Sequence, residues 1–303
     1  MNDSVTIVEV GPRDGLQNES QTLSTALRVE LIDRLAQCGV PVIEAGSFVS
    51  PKWVPQMAAT DEVLAGINAL PGTRYPVLVP NLQGYELAVA AGAKEIALFT
   101  AASESFSQKN TNCSIAESIN RLESVAKQAN TAGLRVRAYV SCVLGCPYEG
   151  EIESSAVAAI CARLMEIGCA EISLGDTIGI GTPAAANALI RECEAVTPVE
   201  QLAVHFHDTY GQALANTLAC LDAGIRIIDS SVSGLGGCPY AKGASGNIAT
   251  EDVVYMLNGL GLKTGIDLHT LANTGEWISK QLQRPNNSKA GVALLNANIP
   301  NQI

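Results

Sequence analysis

Two histidines stand two positions apart at the end of a short apolar run. Leu202-Ala203-Val204 leads directly into His205, Phe206 and His207. Side chains of a strand alternate between its two faces, so residues i and i+2 leave on the same side. Two imidazoles on one side can bind one metal ion, although buried polar histidines at a strand end are the alternative. Because the sequence holds only three histidines, this pair indicates a candidate metal site.

An aspartate and an amide are expected to complete the set of metal ligands. Asp14 follows the first predicted strand, and Asn247 lies in a glycine-rich segment after the last one. With His205 and His207 they make a mixed nitrogen and oxygen set, which suits magnesium, manganese or zinc and leaves positions for substrate. Taken singly, Asp14 would cap an Asp-Gly turn and Asn247 would fill a left-handed loop position. Because Asp14 and Asn247 are expected to lie beside the histidine pair, a metal site is favoured over these separate roles.

Further charged residues are predicted at the ends of strands. Arg13 and Asp14 follow the first strand, Glu44 ends the second, and Asp176 follows the sixth. Structural ion pairs are one explanation for charged residues at these positions. A forked arginine that is oriented by a carboxylate also stabilises an oxygen that becomes negative during a reaction. Both roles are compatible, so we predict catalytic functions for Arg13, Asp14, Glu44, Asp176 and His205.

The segment of residues 234–247 contains five glycines and one cysteine, Cys238. Such a loop can move, and a thiol held in it could reach a bound substrate while closure excludes water. The alternative is a phosphate-binding glycine loop with an uninvolved cysteine, which is weaker because no Gly-Lys-Ser/Thr follows. We therefore predict that Cys238 donates or accepts a proton near the metal.

Eight short apolar, β-branched segments recur along the chain, with helix-like segments between them. They cover residues 5–10, 40–45, 75–79, 95–99, 135–141, 170–174, 202–206 and 226–232. Ser24 and Thr182 are predicted helix N-caps, and glycines end several helices, at Gly39, Gly92, Gly168 and Gly224. Eight β-then-α units without a linker favour an α/β fold with a closed (β/α)8 TIM barrel over two doubly wound domains. The barrel would bring the strand ends, and hence the candidate residues, to one face.

Composition and length fit a single catalytic domain over residues 1–303. We expect the barrel over about residues 5–260 and a C-terminal helical extension over about 261–303, with one amphipathic helix near 270–282 and a polar tail. The net charge of −11 opposes binding to nucleic acid or to an anionic membrane surface. Nine scattered cysteines indicate reduced thiols, and no apolar run reaches the roughly 18 residues of a membrane span. These features predict a soluble, cytoplasmic protein.

Six segments of the chain together match a known family: residues 10–19 (VGPRDGLQNE), 47–57 (SFVSPKWVPQM), 139–150 (YVSCVLGCPYEG), 173–177 (SLGDT), 205–217 and 234–255. On these segments the chain resembles, over nearly its whole length, the 3-hydroxy-3-methylglutaryl-CoA lyase family of metal-dependent barrel enzymes. The Arg-Asp and His-x-His elements also occur in isopropylmalate and homocitrate synthases. The loop around Cys238 and residues 47–57 are the parts that indicate a lyase.

The resemblance implies a carbon–carbon lyase that cleaves 3-hydroxy-3-methylglutaryl-CoA to acetyl-CoA and acetoacetate, as in leucine degradation and ketone body formation. It implies that Asp14, His205, His207 and Asn247 ligate Mg²⁺ or Mn²⁺. Arg13 would stabilise the enolate, while Cys238 and His205 would transfer protons. Contacts to the acyl-CoA substrate would come from a further set of residues, namely Gln17, Ser47, Asn110, Ser114, Tyr139 and Ser173. A homodimer is also expected.

Several alternatives stay open at this point. The hydroxyl proton could be taken by Asp14, by His205 or by a water on the cation. A longer branched substituent on C3 needs only a few changes in the pocket. A synthase that condenses an acyl-CoA with a 2-oxo acid is a rival, although it is expected to carry a further C-terminal domain. A catalytically idle sensor of metal or CoA is a second rival, which need not keep so many ionisable groups. Phe206 and the tail after Arg284 depart from the family pattern.

Overall fold

Nine parallel strands form one curled sheet in a computed structural model, which describes residues 3–237 and 246–297. The order of the strands in the sheet is β2-β1-β9-β8-β7-β6-β5-β4-β3. The strands are β1 (Thr6–Glu9), β2 (Val42–Ile43), β3 (Gly46–Ser47), β4 (Val77–Leu78), β5 (Glu95–Ala101), β6 (Arg135–Ser141), β7 (Glu171–Asp176), β8 (Leu202–Phe206) and β9 (Ile227–Ser230).

The short strands β2 and β3 are two halves of one barrel strand. β2 pairs with β1, and β3 pairs with β4. In the break between them, the amide of Glu44 donates to the carbonyl of Glu9 at 2.9 Å and the amide of Ala45 donates to Pro76 at 2.9 Å. The sheet therefore closes through this interrupted strand. The predicted eight-stranded TIM barrel is confirmed, and each predicted strand segment overlaps an observed one.

Eleven helices pack around the barrel in the described part of the chain. They are α1 (Thr25–Gln37), α2 (Thr60–Gly66), α3 (Leu82–Ala90), α4 (Glu104–Thr111), α5 (Ile115–Thr131), α6 (Ser154–Glu166), α7 (Pro183–Glu194), α8 (Ala213–Asp222), α9 (Thr250–Gly259), α10 (Leu268–Gln281) and α11 (Lys289–Asn296). The predicted caps are confirmed, since Ser24 accepts from the amide of Leu27 at 3.3 Å and Thr182 accepts from Ala185 at 3.5 Å. Among these residues, no helix combines the length and the apolar character required to cross a membrane.

Alternation along the strands separates a hydrocarbon layer from a polar barrel interior. Ile96, Val136 and Ile172 belong to the large apolar cluster between sheet and helices, and none of them is exposed. Burial of each such side chain stabilises the fold by about 1.5–3 kcal/mol. The neighbouring positions point the other way, and there Arg137 and Ser173 form hydrogen bonds across the barrel. The same alternation places His205 inside the barrel.

Oppositely charged side chains follow one another through the barrel interior. Arg137, which is 1% exposed, donates to both Glu171 and Asp229. Glu171 also accepts from Arg135 at 3.0 Å, and Arg135 lies 3.4 Å from Glu95. An unpaired charge inside a protein costs several kcal/mol. Each buried charged side chain of this series therefore depends on its oppositely charged neighbour.

The C-terminal extension differs from the prediction of one helix and a polar tail. Helix α10 confirms the amphipathic helix, but the predicted tail contains a second helix, α11. Ser288 caps α11 by accepting from the amide of Gly291 at 2.9 Å, and its hydroxyl donates to Asp252 at 2.8 Å. Asp252 also accepts from the amide of Ala290 at 2.7 Å. The prediction of a polar tail is wrong there, because Asp252 of α9 anchors the start of α11 through a tertiary contact.

Two buried carboxyl groups fasten the segment that follows β9. Glu9 accepts from the amide of Val232 at 2.9 Å and from the hydroxyl of Thr250 at 2.6 Å. Glu251 accepts from the amide of Ser233 at 2.9 Å. Burial raises the pKa of Glu9 to about 7 and the pKa of Glu251 to about 8, although these hydrogen bonds oppose the shift. The folded state therefore favours the protonated form of both groups.

Replacement of Glu251 by Gln is expected to remove a pH-dependent contribution to stability. A carboxyl group with a higher pKa in the folded than in the unfolded state holds its proton more tightly when folded, so the stability of the parent falls between about pH 4.5 and pH 8. Over this range E251Q should gain up to about 5 kcal/mol relative to the parent, because one pKa unit corresponds to about 1.4 kcal/mol. Urea unfolding across this range, with EDTA present, measures the difference.

The exposed Glu166 provides the matched control, and E166Q should follow the parent at every pH. A free-energy difference between E251Q and the parent that does not change with pH would contradict the buried-acid explanation.

Candidate active site

Three predicted metal ligands meet at the carboxyl end of the barrel. His205 lies in β8, His207 follows it directly, and Asp14 lies in the helical turn Gly11–Gly15 after β1. Each side chain offers one ligand atom, and these atoms all lie within 4.8 Å of one another. The centroids of the two imidazole rings are 5.5 Å apart. The expectation that the i and i+2 histidines share one side of the strand therefore agrees with the structure.

The turn that carries the arginine and the aspartate is held by both its own backbone and its neighbours. The amides of Arg13 and Gly15 each donate to the carbonyl of Val10 at 3.1 Å. A Cβ atom on Gly15 would lie only 2.7 Å from the Cβ of Leu235. Only glycine permits so close an approach of this turn to the segment after β9, so a larger residue would shift the candidate ligands.

The charge states of Asp14 and His207 suit a metal ion. Burial opposes ionisation of Asp14, but Arg13 and both imidazoles lower its pKa to about 2. Burial and the neighbouring His205 lower the pKa of His207 to about 4. A carboxylate and a neutral imidazole are the forms that coordinate metals. In addition, Nδ1 of His207 is buried without a hydrogen-bond partner among the described residues, as expected for an imidazole that serves a metal ion.

Asn247, the fourth predicted ligand, contacts the cluster directly. It is 4% exposed, and its Nδ2 donates to Oδ2 of Asp14 at 2.8 Å and to the carbonyl of Leu235 at 3.1 Å. A backbone bridge also joins it to His207. Residues from the beginning and from the end of the barrel-forming sequence therefore lie around one position. Their imidazole, carboxylate and amide groups form a donor set that fits a divalent cation.

Arg13 is clamped at the edge of the cluster. Its Nε donates to Glu44 at 2.7 Å and its Nη1 donates to Asp14 at 2.7 Å. The hydroxyl of Tyr139 donates to the same Glu44 oxygen at 3.0 Å, and its ring lies 5.1 Å from the guanidinium carbon. Burial opposes the charge of Arg13, but Glu44 and Asp14 raise its pKa. Neither hydrogen bond uses Nη2, which has no partner in the described part of the chain and could bind an oxygen of a ligand.

Asp229 is a member of the site that the sequence analysis missed. Its Oδ2 lies 3.1 Å from Nδ1 of His205 and accepts from the hydroxyl of Ser173 at 2.7 Å. Burial opposes ionisation, but Arg137 and His205 lower the pKa of Asp229. The available signal was an aspartate within the otherwise apolar strand β9, Ile227–Ser230, since a charge in a buried parallel strand requires a partner.

A cavity of about 370 Å³ opens beside the cluster. Its polar wall includes seven of the predicted residues, namely Arg13, Asp14, Gln17, Asn110, Tyr139, His205 and His207. Its apolar wall was not predicted and consists of Val49, Trp53, Val54, Leu78, Phe99 and Phe106. The cavity is therefore lined by both charged and apolar side chains.

Other predicted residues lie outside the lining of this cavity. Ser114 forms the capping box of α5, and Ser47 donates to a carbonyl of β4 at 3.3 Å. Asp176 is fully buried and accepts from two amides of the loop after β7, at 2.8 and 3.2 Å. Ser173 lies behind the cluster, against Asp229. Cys238 is outside the described residues.

A relative and two solved structures resemble this chain. The mitochondrial hydroxymethylglutaryl-CoA lyase of Arabidopsis thaliana is 61% identical over 290 residues, which are 96% of this chain and 62% of that protein. The chain thus spans less than two thirds of that relative. A crystal structure of hydroxymethylglutaryl-CoA lyase from Pseudomonas aeruginosa is 55% identical with a TM-score of 0.95, and the match covers 97% of this chain and 98% of that one.

A structure of an HMG-CoA lyase from Acinetobacter baumannii, in complex with coenzyme A and 3-methylmalate, is 35% identical with a TM-score of 0.93. The match covers 99% of this chain and 98% of that one. The model of the HMGL-like family matches residues 4–278. The chain therefore belongs to the HMGL-like family, and within it to the hydroxymethylglutaryl-CoA lyases.

Proposed function

We propose that this chain cleaves 3-hydroxy-3-methylglutaryl-CoA to acetyl-CoA and acetoacetate, with Mg²⁺ or Mn²⁺ held by Asp14, His205, His207 and Asn247. The observation that carries the proposal is the meeting of these ligands beside the clamped Arg13 at one wall of a cavity. Membership of the hydroxymethylglutaryl-CoA lyases supports the reaction, and the coenzyme A in the Acinetobacter enzyme supports an acyl-CoA substrate.

The reaction requires a proton acceptor at the C3 hydroxyl, a stable place for negative charge and a proton donor at C2. A bound cation lowers the energy of negative charge on oxygen. As the hydroxyl loses its proton, the C2–C3 bond breaks and C3 becomes the ketone of acetoacetate. The electron pair of that bond passes into the thioester as an enolate. Arg13, aimed by Glu44, stabilises the enolate oxygen through its unused Nη2.

Proton transfer to C2 is assigned to Cys238. This residue follows Gly237, which lines the cavity, and the glycine-rich loop returns to Asn247 beside Asp14. Substrate contacts are assigned to Gln17, Asn110 and Tyr139 because they line the cavity. Contacts from Ser47, Ser114 and Ser173, and a catalytic role for Asp176, stay predictions.

The proposal includes one catalytic domain over residues 1–303, a cytoplasmic location and a homodimer. The eight described cysteines all carry free thiols, which supports a reducing compartment. The Arabidopsis relative is named as mitochondrial. Two exposed apolar side chains, Tyr255 on α9 at 47% and Leu260 directly after this helix at 49%, support a contact between two subunits.

Removal of the metal is expected to abolish acetoacetate release. Dialysis against EDTA should leave the fold intact, and added Mg²⁺ or Mn²⁺ should restore turnover, because the ligand set binds hard divalent ions. The assay follows release of acetyl-CoA from the methyl substrate, where acetoacetate is the second product, and from a longer-chain homologue, where the second product is the corresponding longer 3-oxo acid. The methyl substrate should give the higher kcat/KM. Full activity after EDTA would refute the metal role, and condensation of acetyl-CoA with a 2-oxo acid would indicate a synthase.

Replacement of Arg13 by Gln is expected to lower turnover roughly 100- to 1000-fold, the usual effect of losing one donor to a developing oxyanion. Arg13→Lys should also be slow, because an ammonium cannot keep the forked contact to both Glu44 and Asp14. Circular dichroism tests whether each variant is folded. The exposed Arg163 supplies the control, and R163Q should keep parental turnover. Near-parental turnover of folded R13Q would exclude the assigned role.

Replacement of Cys238 by Ala is expected to lower turnover strongly without loss of metal, because the thiol acts on the substrate carbon. Metal content by atomic emission and turnover are measured on the same samples. Cys169→Ala, a change at a buried thiol in the loop before β7, serves as the control. Loss of bound metal in C238A would place this cysteine among the ligands instead.

A further inference from the structure

The strongest unassigned feature is the hydrogen bond behind His205. Asp229 of β9 is 2% exposed, and its Oδ2 lies 3.1 Å from Nδ1 of His205. The same oxygen accepts from the hydroxyl of Ser173 at 2.7 Å. The other carboxylate oxygen is bound by Arg137, which is itself buried. Among the described residues, Arg137 and Ser173 donate hydrogen bonds to this carboxylate, and the imidazole of His205 is able to donate one.

This arrangement determines where the proton of His205 resides. A carboxylate paired with a buried arginine can only accept hydrogen bonds. The contact at 3.1 Å therefore requires a proton on Nδ1 of His205. Ligation of a cation requires the neutral imidazole. The neutral imidazole has one proton, and with that proton on Nδ1 the lone pair of Nε2 is left for the cation.

Nε2 of His205 faces Oδ2 of Asp14 at a distance of 3.8 Å. This separation is too long for a hydrogen bond. It is within reach of two ligands that bind one cation at about 2.0–2.2 Å each. Both nitrogens of His205 then have a partner: Asp229 on one side and the cation site on the other.

We propose that Asp229 is a positioning residue of the cation site, which holds His205 in its Nδ1–H tautomer and thereby commits His205 to ligation rather than to proton transfer. The inference rests on the cation site of the proposed function. It removes His205 from the candidate bases and leaves proton transfer to other groups. Outer partners of this kind orient the imidazole and strengthen its bond to the metal.

His207, the other imidazole of the pair, differs from His205 in the hydrogen bonding of its Nδ1. Its Nδ1 has no hydrogen-bond partner among residues 3–237 and 246–297. Nδ1 of His205 therefore has a carboxylate partner, whereas Nδ1 of His207 is left for the cation site. Loss of Asp229 should weaken one ligand and leave the second unchanged.

The affinity for Mn²⁺ tests the proposal without an activity assay. Electron paramagnetic resonance of free Mn²⁺ gives the Kd of the full chain and of Asp229→Asn, and the variant should bind 10- to 100-fold more weakly, the usual loss for such outer partners. Its turnover should recover when Mn²⁺ is raised to saturation. Ser173→Ala keeps the Asp229–Arg137 ion pair and should show a smaller loss, so it serves where D229N fails to fold.

Asp252→Asn is the matched control, since Asp252 is also a buried aspartate but anchors α11 away from the site. D252N should lose stability and keep the parental Kd for Mn²⁺. Parental Kd values in folded D229N and S173A would overturn the inference while leaving the cation site in place. No Mn²⁺ binding by the parent would overturn both the inference and the metal part of the proposed function.

The tautomer itself is measured by nitrogen NMR of the imidazoles in the Mg²⁺-loaded protein. With only three histidines, the spectrum holds three sets of signals, and His205→Gln identifies one of them. The signals of His205 should show a proton on Nδ1 in the parent. A proton on Nε2 of His205 would overturn the inference whatever the affinities are.

Discussion

Pairing of buried charges is the constraint on which the rest of this barrel depends. Arg13 lies between Glu44 and Asp14, and Arg137 lies between Glu171 and Asp229. Each of these groups would cost several kcal/mol if it were buried alone. Because every partner is held by a second partner, the pairs also fix the direction of each side chain. The fixed directions of the side chains at the site therefore result from these ion pairs in the barrel interior.

The same pairing prepares the site for chemistry before a ligand arrives. Asp14 is held ionised by Arg13, and burial beside His205 keeps His207 neutral. The guanidinium of Arg13 is bound on two of its three nitrogens, so its orientation is fixed by Glu44 and Asp14.

Buried carboxyl groups of the barrel bind the start of the segment that carries Cys238. Glu9 and Glu251 bind the amides that follow β9, which fastens the start of this loop to β1 and α9. Glu19, from the segment after β1, accepts from the amide of Gly236 at 3.3 Å. Groups that hold the fold together therefore also set the position from which the segment with Cys238 departs.

The sequence by itself determined the features that depend on local spacing: the strand segments, the helix caps at Ser24 and Thr182, and the shared side of His205 and His207. These follow from the periods of strands and helices, which a single segment contains. Only the tertiary structure decided the interrupted strand at Glu44, the helix α11 and the place of Asp229 behind His205. Each of these depends on contacts between residues far apart in the chain, and no local pattern encodes such contacts.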